Sequence, residues 1–356
     1  MKNSIFLAAA LLPIQIVIAS CNRVTAYETP ALPDDGDYGK VRFSLDTGDL
    51  PTRASDAGSQ GKEAYVGDVQ ILVFDASSSL VAYVDAGTSL SKDLTLKAGS
   101  YKAYAVVNGP DLNTVSTESA LKSVSIPLAD WNSPSSAFVM EGASSTIEIS
   151  RGVTCDCPIS VSRFVTRVKL ASVKNSCPEA FGAIRLKRAF LSNVVCNQEL
   201  SGASAPSSYS NRYGRSSLSD VDSIIDGDSY PAVPAALSFK DFSSASVSTG
   251  ASYSDASWFY SYPNPAADNV TAWSSSWTPT ATRLVLVANV NGKDWYYPVA
   301  VPQSLRNCSY DVNLVITGEG LEDPQGDISE LSEKGALTVS VSLSGWVPST
   351  EYKLEY

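Results

Sequence analysis

Short runs of alternating polar and apolar residues limit what this chain can fold into more than any other feature. One run covers residues 306–318 and breaks at the glycines of 318–320, and a second covers residues 337–343 and ends at Gly345-Trp346. A period of two residues is typical of strands that have one buried face. Similar runs recur along the chain and helical periodicity is scarce, so we predict an all-β fold of the sandwich type.

The first 21 residues form a pattern typical of an export signal. Lys2 supplies a positive charge, and residues 5–18 are largely apolar but are interrupted by Pro13 and Gln15. Such a segment is too short and too interrupted to span a bilayer, so it indicates a removable signal peptide. It ends in Ile-Ala-Ser-Cys, the pattern of a bacterial lipobox, which predicts that Cys21 is lipidated and holds the protein at a membrane surface. The alternative is an ordinary signal peptide followed by an unrelated cysteine.

Charge and the lack of histidine narrow the function. The 356 residues include 26 Lys and Arg against 37 Asp and Glu, and the net charge of −11 argues against nucleic acids and anionic membrane surfaces as partners. Without histidine the sequence lacks the commonest general base and metal ligand, and it has no Ser-His or Cys-His pair. Paired carboxylates remain open as a catalytic arrangement. We therefore expect a binding or structural protein without a cofactor or metal, and not an enzyme.

Five cysteines follow Cys21 in the sequence, and they are Cys155, Cys157, Cys177, Cys196 and Cys308. Because five is odd, at least one of them stays free or pairs with another molecule. Structural disulfides and buried free thiols are both consistent with the sequence of an exported protein. The Cys-Asp-Cys spacing at residues 155–157 is not that of a CxxC redox motif, and without histidine partners we expect no zinc site.

Composition divides the chain into a tether, strand-rich parts and a long polar insertion. Residues 22–38 are rich in Pro, Asp and Thr, as in a flexible tether. Val41, Phe43 and Leu45 alternate with polar residues and predict one short strand, which a polar loop follows. Further along the chain, Asn291-Gly292 between two apolar runs predicts a hairpin turn.

The polar insertion extends from Asn197 to Thr280 and is rich in Ser, Ala, Asp and Tyr, and we predict elaborated surface loops there. Four carboxylates between Asp220 and Asp228 indicate either a calcium site or a solvated acidic loop. One aromatic cluster within the insertion predicts either a sugar-stacking platform or packed core, and it consists of Trp258, Phe259, Tyr260 and Tyr262.

A series of short motifs extends over most of the chain. In the first half these are Val73-Phe74-Asp75, Leu96 to Tyr101 running into Val106-Val107-Asn108, Phe138 to Gly142, and Val161-Ser162-Arg163 through Leu170. In the second half they are Tyr297-Pro298-Val299, Arg306-Asn307 with Tyr310, Ile316 to Gly320 with Asp323-Pro324, and the strand that ends in Trp346. The order and spacing of these motifs behind a lipobox resemble the fimbrillins, or type V pilins, of Bacteroidales.

This resemblance implies two β-sandwich domains of the transthyretin-like or Greek-key type with long surface loops, in a lipoprotein precursor that is assembled into surface fimbriae. The N-terminal domain would cover residues 54–160 and the C-terminal domain residues 161–356. They would follow a signal peptide over residues 1–21 and a lipidated propeptide over residues 22–53, which contains the removable first strand.

The resemblance also implies a maturation step. In such proteins a trypsin-like protease cuts after an arginine near the N-terminus and removes the lipidated segment together with its first strand. The vacated groove then accepts a strand from the next subunit. The matching bond is that between Arg53 and Ala54, and the displaced strand is that of Val41, Phe43 and Leu45. The alternative is that Arg53 is an ordinary exposed loop arginine.

The best candidate for the donated strand is the C-terminal tail, in which the residues singled out are Val347, Tyr352, Leu354 and Tyr356. The run at 337–343 is expected to be ordinary intramolecular sheet. The partners implied are other fimbrial subunits, the trypsin-like maturation protease and, through the lipid of the precursor, the outer membrane. The expected location is therefore the outer membrane and cell surface, in a fimbrium that supports adhesion.

Two alternatives stay open at the level of the sequence. Within the same family, the chain would be an accessory anchor or a tip adhesin instead of a polymerising stalk subunit. In a different class, it would be a monomeric glycan-binding surface lipoprotein, which needs an exposed aromatic platform and no exchange of strands.

Overall fold

The computed structural model describes residues 36–47, 63, 65–200, 235–266, 281–301, 303–323, 326, 328–345 and 352–355. Strands dominate these residues, and the predicted all-β fold is confirmed. The helices are short, and in the described part of the chain none is long and apolar enough to cross a membrane.

The first half of the chain supplies the strands β1 (Tyr38–Asp46), β2 (Val69–Asp75), β3 (Leu80–Gly87), β4 (Ser91–Lys97), β5 (Gly99–Val107), β6 (Ser125–Pro127), β7 (Met140–Ala143), β8 (Ile147–Ile149), β9 (Thr154–Ser160) and β10 (Ser162–Arg163). Two short helices lie between them, α1 (Glu118–Lys122) and α2 (Leu128–Trp131). One sheet has the order β4-β1-β9, and the other has the order β10-β7-β5-β2-β3, with β8 paired to β5.

These two sheets enclose a common core. Its buried side chains come from both sheets, and they include Phe43, Ile71, Ala105, Met140 and Ile159. The opposite face of β2 and β5 is buried as well, in a second core that continues into the other half of the chain. Burial on both faces explains why residues 71–74 of β2 are all apolar and do not alternate with polar residues.

The second half supplies β11 (Thr166–Asn175), β12 (Ile184–Ser192), β13 (Asn197–Glu199), β14 (Phe239–Val247), β15 (Ser252–Tyr253), β16 (Ser257–Ser261), β17 (Thr282–Val290), β18 (Lys293–Val301), β19 (Cys308–Ile316), β20 (Leu337–Gly345) and β21 (Tyr352–Glu355). Its short helices are α3 (Ala235–Ser238) and α4 (Ser329–Glu333), with a 3-10 turn at Glu179–Phe181. One sheet has the order β15-β11-β19-β20-β21, with β16 paired to β11, and the other has the order β14-β12-β17-β18. β13 pairs with β6 of the first half.

The predicted hairpin at Asn291-Gly292 is confirmed. Both residues have a positive φ, 53° at Asn291 and 83° at Gly292, and they join β17 to β18. Asparagine and glycine tolerate this left-handed backbone at low cost, and its twist matches that of the flanking strands. The local sequence therefore fixes the register of this pair.

The prediction of surface loops from Asn197 to Thr280 is wrong for part of that segment. Residues Phe239–Val247 form β14, which pairs with β12 at the edge of a sheet. Most of its side chains are exposed or half-buried, so the strand lacks the apolar alternation that sequence analysis relies on. An edge strand is paired along one edge only, so more of its residues can reach water, and it tolerates this polar composition.

The carboxylate of Glu118 in the first turn of α1 contributes to stability in a pH-dependent way. It pairs with Lys122 at 2.6 Å and with Lys102 at 3.3 Å, and it accepts a hydrogen bond from the hydroxyl of Tyr104. Chiefly because of the bond from Lys122, the pKa of Glu118 falls to about 2. The unfolded chain has the ordinary glutamate pKa of about 4.3, so the carboxylate stabilises the fold above that pH, and this contribution is lost as the pH falls towards 2.

Replacing Glu118 with glutamine should therefore lower the free energy of unfolding at pH 7 by about 1–2 kcal/mol. The difference from the native chain should shrink between pH 4.3 and 2 and vanish at the lower limit. Urea unfolding at both pH values measures it. An equal difference at pH 7 and at pH 2 would show that the charge of Glu118 is not responsible.

Candidate functional site, a groove occupied by the first strand

β1 is the middle strand of its sheet and is paired along both edges. Residues 38–44 are antiparallel to β4, and residues 40–46 are parallel to β9. Further backbone bonds fasten the two ends of the strand, from Lys40 N to the carbonyl of Val153 at 2.9 Å and from Val161 N to the carbonyl of Asp46 at 2.8 Å. Removing β1 would thus leave β4 and β9 as two facing, unpaired edges.

The inward side chains of β1 fill the core between the two sheets. Val41 and Phe43 are fully buried, and Leu45 is 7% exposed. The intervening residues of the strand are exposed, among them Arg42, which pairs with Asp93 at 3.0 Å on the surface. The alternation in the sequence therefore corresponds to one buried and one solvent-facing side. Without β1, the space that Val41, Phe43 and Leu45 fill would be an apolar groove in the core.

Glu63 anchors the chain just downstream of the proposed cut. It is only 4% exposed, and its carboxylate accepts hydrogen bonds from Arg167 at 3.0 Å and from the hydroxyl of Tyr260. Its backbone carbonyl accepts a bond from Nε of Arg163 at 2.7 Å. Burial and then the charge of Glu63 raise the pKa of Tyr260 far above its usual value, so this hydroxyl stays protonated and donates. Glu63 is thereby held to the second half of the protein.

A second polar cluster joins the two halves next to this anchor. The guanidinium of Arg306 donates to the Glu141 carboxylate at 2.9 Å and to the backbone carbonyls of Ser162 at 2.9 Å and Arg163 at 3.1 Å. It also lies 4.1 Å from the ring centroid of Phe164. Burial lowers the pKa of Arg163 to about 10, which leaves that side chain charged at neutral pH. Together the arginines tie β7 and β10 to the segment that precedes β19.

Sequence reasoning missed Glu63 altogether, because a single glutamate in a polar loop carries no pattern. A partial signal did exist for its partners. Arg163 and Arg167 interrupt an apolar stretch around Phe164 and Val165, and charged residues in such a setting are buried only when they are paired.

The remaining predicted residues are placed as follows. Cys21, Arg53, Ala54, Val347 and Tyr356 lie outside the described residues, as does the acidic segment 220–228. Tyr352 and Leu354 lie in β21, which pairs antiparallel with β20 at the edge of the sheet. In the described part of the chain no group of His, Cys, Asp and Glu is arranged to hold a metal ion.

The aromatic cluster of residues 258–262 is packed core in this structure. Phe259, Tyr260 and Tyr262 are fully buried, and Trp258 is partly buried against the same core. Tyr262 accepts a hydrogen bond from Asn132 at 2.9 Å, and the ring of Tyr260 lies 4.8 Å from that of Phe138. These rings therefore offer no exposed platform for a sugar.

Of the cysteines that follow Cys21, Cys155, Cys157, Cys177 and Cys308 are free thiols. Cys157, Cys177 and Cys196 are buried, whereas Cys155 and Cys308 are partly exposed. Of the two arrangements that the sequence left open, these four cysteines have that of free thiols and not that of disulfides.

Part of the chain matches the sequence model of a known protein family. Residues 40–156 match the sequence model of the family described as major fimbrial subunit protein (FimA), a class of structural proteins and not of enzymes. This match begins within β1 and ends within β9, so it includes most of β1, all of β4 and the first part of β9. No curated protein sequence matches the chain.

Solved structures share the fold across nearly the whole molecule. A fimbrilin (FimA) from Porphyromonas gingivalis aligns with a TM-score of 0.60 at 15% identity, over 87% of this chain and 98% of that one. A proposed cell adhesion protein from Bacteroides eggerthii aligns with a TM-score of 0.60 at 18% identity, over 87% of this chain and 97% of the other. The resemblance to the fimbrillins is thereby confirmed, since residues 40–156 match the sequence model of the FimA major fimbrial subunit family and the chain shares the fold of a solved fimbrilin over most of its length.

Proposed function

We propose that this protein is a structural subunit of cell-surface fimbriae that polymerises by donor-strand exchange after proteolytic removal of its N-terminal strand, and that the fimbriae support adhesion. The observation that carries the proposal is the position of β1. It is the central strand of a sheet, its inward side chains are buried, and it lies at the N-terminal side of a polar segment that contains Arg53.

The groove under β1 suits a replacement strand. Adjacent strands lie about 4.8 Å apart, so the gap between β4 and β9 without β1 is roughly 10 Å, the width for one strand. Both edges would present unpaired backbone N–H and C=O groups, which bind an added strand by β-augmentation. Each large apolar side chain that enters the pockets of Val41, Phe43 and Leu45 adds about 1.5–3 kcal/mol of burial energy.

A single cut after Arg53 is enough to separate β1 from the rest of the chain. Both strands that pair with β1 follow Arg53 in the sequence, so only non-covalent contacts would hold β1 afterwards. The lipidated Cys21 would leave with it, while Glu63 would keep the new N-terminus fastened to the body of the subunit. The mature subunit would then consist of an N-terminal domain over residues 54–160 and a C-terminal domain over residues 161–356.

The tail from Val347 to Tyr356 is the proposed donor. In the single chain its described part, β21, pairs along one side with β20, in the register Val341 to Leu354. Four residues at a sheet edge form a short pairing, which the tail can exchange for a groove that binds both of its sides. Because groove and tail are different surfaces, such contacts run head to tail and extend without closing.

The proposal implies defined partners and a defined location. The chain would reach the outer membrane as a lipoprotein, be cut by a trypsin-like protease, and then bind other fimbrial subunits at the cell surface. Burial of Phe259, Tyr260 and Tyr262, with Trp258 partly buried, supports the fimbrial proposal over the glycan-binding alternative, which needs exposed rings.

Limited trypsin digestion of the purified precursor tests this function, with intact mass and size-exclusion chromatography as readouts. We expect a cut after Arg53, followed by a ladder of oligomers that resists mild detergent. Deletion of residues 347–356 should leave the cut unchanged and abolish the ladder. The variant Arg53→Gln is the matched control, and it should stay uncut at this position and monomeric. A cut subunit that remains monomeric would overturn the polymerising role.

A further inference from the structure

Two thiols lie against the strand that the proposed function removes. In the parallel pairing of β1 with β9, Val41 is in register with Cys155 and Phe43 with Cys157. Along β9 the two cysteines alternate with the exposed residues Thr154, Asp156 and Pro158. Because side chains of a strand alternate between faces, both cysteines share the face on which Val41 and Phe43 are buried. They therefore form part of the wall of the groove.

β1 shelters these thiols in the intact chain. Cys157 is 5% exposed and belongs to the core that β1 completes, and Cys155 packs against the same core. Among the described strands β9 is the outer strand of its sheet, so β1 is the neighbour that covers the wall from the groove side. Burial raises the pKa of Cys157 to about 11, in spite of a hydrogen bond with Ser144 that acts in the opposite direction. A thiol with so high a pKa is almost wholly protonated at neutral pH and reacts slowly.

We infer that Cys155 and Cys157 form a thiol modification site on the wall of the groove, which β1 closes and its removal opens to small disulfides and thiol-reactive electrophiles. The inference rests on the proposed function for the event that removes β1. It concerns the interval between loss of β1 and insertion of the next strand, when the groove is open to solvent.

The chemistry at this site is thiol–disulfide exchange. A groove thiol loses its proton to solvent, and its sulfur attacks one sulfur of a small disulfide RS–SR. The S–S bond of the reagent breaks, a mixed disulfide Cys–S–SR forms, and RS⁻ leaves and takes up a proton. A maleimide gives a stable thioether at the same atom by addition across its double bond. Solvation of the opened groove removes the main cause of the raised pKa of Cys157, so the rate should increase.

Modification of this site has a consequence for assembly. The position in register with Cys157 is that of Phe43, so an adduct on this sulfur occupies the pocket that an incoming side chain must fill. Overpacking of a close-packed site is destabilising, and a bulky adduct should therefore prevent the donor strand from seating. An oxidised or alkylated subunit would stay out of the fibre.

Site-resolved labelling of the full-length chain with N-ethylmaleimide tests the inference, since peptide mass spectrometry reports each cysteine separately. In material from which residues 1–53 have been removed, the labelling rate of Cys157 should rise at least about tenfold over that of the intact chain. The buried thiol of Cys177 lies in the other half of the protein and serves as an internal control whose rate should stay the same. The labelled subunit should fail to form oligomers, and a Cys155→Ser, Cys157→Ser variant should form them with or without the reagent.

A second variant separates this inference from the proposed function. Phe43→Asp places a charge in the core and should loosen β1 without any cut, so it should also accelerate labelling of Cys157 while leaving Cys177 protected. If the rate of Cys157 remains that of the intact chain both in this variant and in cut material that has lost residues 1–53, the thiol site is refuted. Polymerisation of the cut, unlabelled subunit would in that case still support the fimbrial function.

Discussion

Replacement of Glu63 with alanine is expected to lower the free energy of unfolding by about 3–5 kcal/mol, as for other buried ion pairs that lose one partner. The carboxylate is almost fully buried and is the acceptor for Arg167 and for the hydroxyl of Tyr260. Without the carboxylate, the guanidinium of Arg167 and the hydroxyl of Tyr260 lose this acceptor but stay buried. The cost of keeping these two polar groups away from water is then no longer offset by their bonds to Glu63. Urea unfolding of the precursor at pH 7 measures the change.

A matched control is available on the surface of the same protein. Glu330 pairs with Lys334 at 3.1 Å, but both side chains are more than half exposed. Such pairs contribute about 0–1 kcal/mol, so Glu330→Ala should have little effect. The variant Glu63→Gln keeps the size of the side chain and should fall between the two. Equal destabilisation by Glu63→Ala and Glu330→Ala would mean that Glu63 does not hold the two halves of the protein together.

The anchor at Glu63 also limits what a cut at Arg53 can release. The chain between the two residues is short, and Glu63 is bound to Arg163 through its backbone as well as through its carboxylate network. Cleavage would thus free β1 without unravelling β2, which begins at Val69 and is paired on both sides, with β3 and β5, in the other sheet. A buried glutamate at this point would confine the effect of the proposed cut to β1.

The sequence was sufficient to predict β1 itself but not the strands with which it pairs. The alternation of Val41, Phe43 and Leu45 predicts both a strand and its buried face, because a period of two has one structural meaning. It says nothing about the neighbours of the strand. The pairing with β9 joins residues far apart in the chain, and such contacts leave no local pattern.

The same distinction separates the other successes from the failures. The Asn291-Gly292 turn was predictable because local backbone preferences alone decide it. The polar clamp of Arg306 on Glu141 and the backbone around Arg163 was not, since its members come from distant segments and meet only in the folded chain. β14 was not predicted as a strand, because a polar edge strand resembles a loop in composition. Elements that neighbouring residues determine can thus be predicted from the sequence. Elements that depend on contacts between residues far apart in the chain become visible only in the structure.

Replacement of Phe43 with alanine should destabilise the intact precursor by about 3–5 kcal/mol, the usual cost of removing a buried phenylalanine ring. Phe43 is fully buried in the core between the two sheets, in register with Lys92 on β4 and Cys157 on β9. Ser44→Ala alters an exposed residue of the same strand and is the control, with an expected change below about 0.5 kcal/mol. Urea unfolding of both precursors gives the comparison.

The informative readout comes after the proposed cleavage at Arg53, because Phe43 would belong to the piece that leaves. Mature subunits from the Phe43→Ala precursor and from the native one have the same sequence, so their stability and their oligomers should be identical. The rate at which residues 1–53 dissociate should differ by about a hundredfold, which corresponds to roughly 3 kcal/mol at 1.4 kcal/mol for each factor of ten. Equal dissociation rates would mean that the ring of Phe43 does not hold β1 in its groove. If only the dissociation rate differs, the buried side chains of β1 determine how long this strand stays in its groove after cleavage.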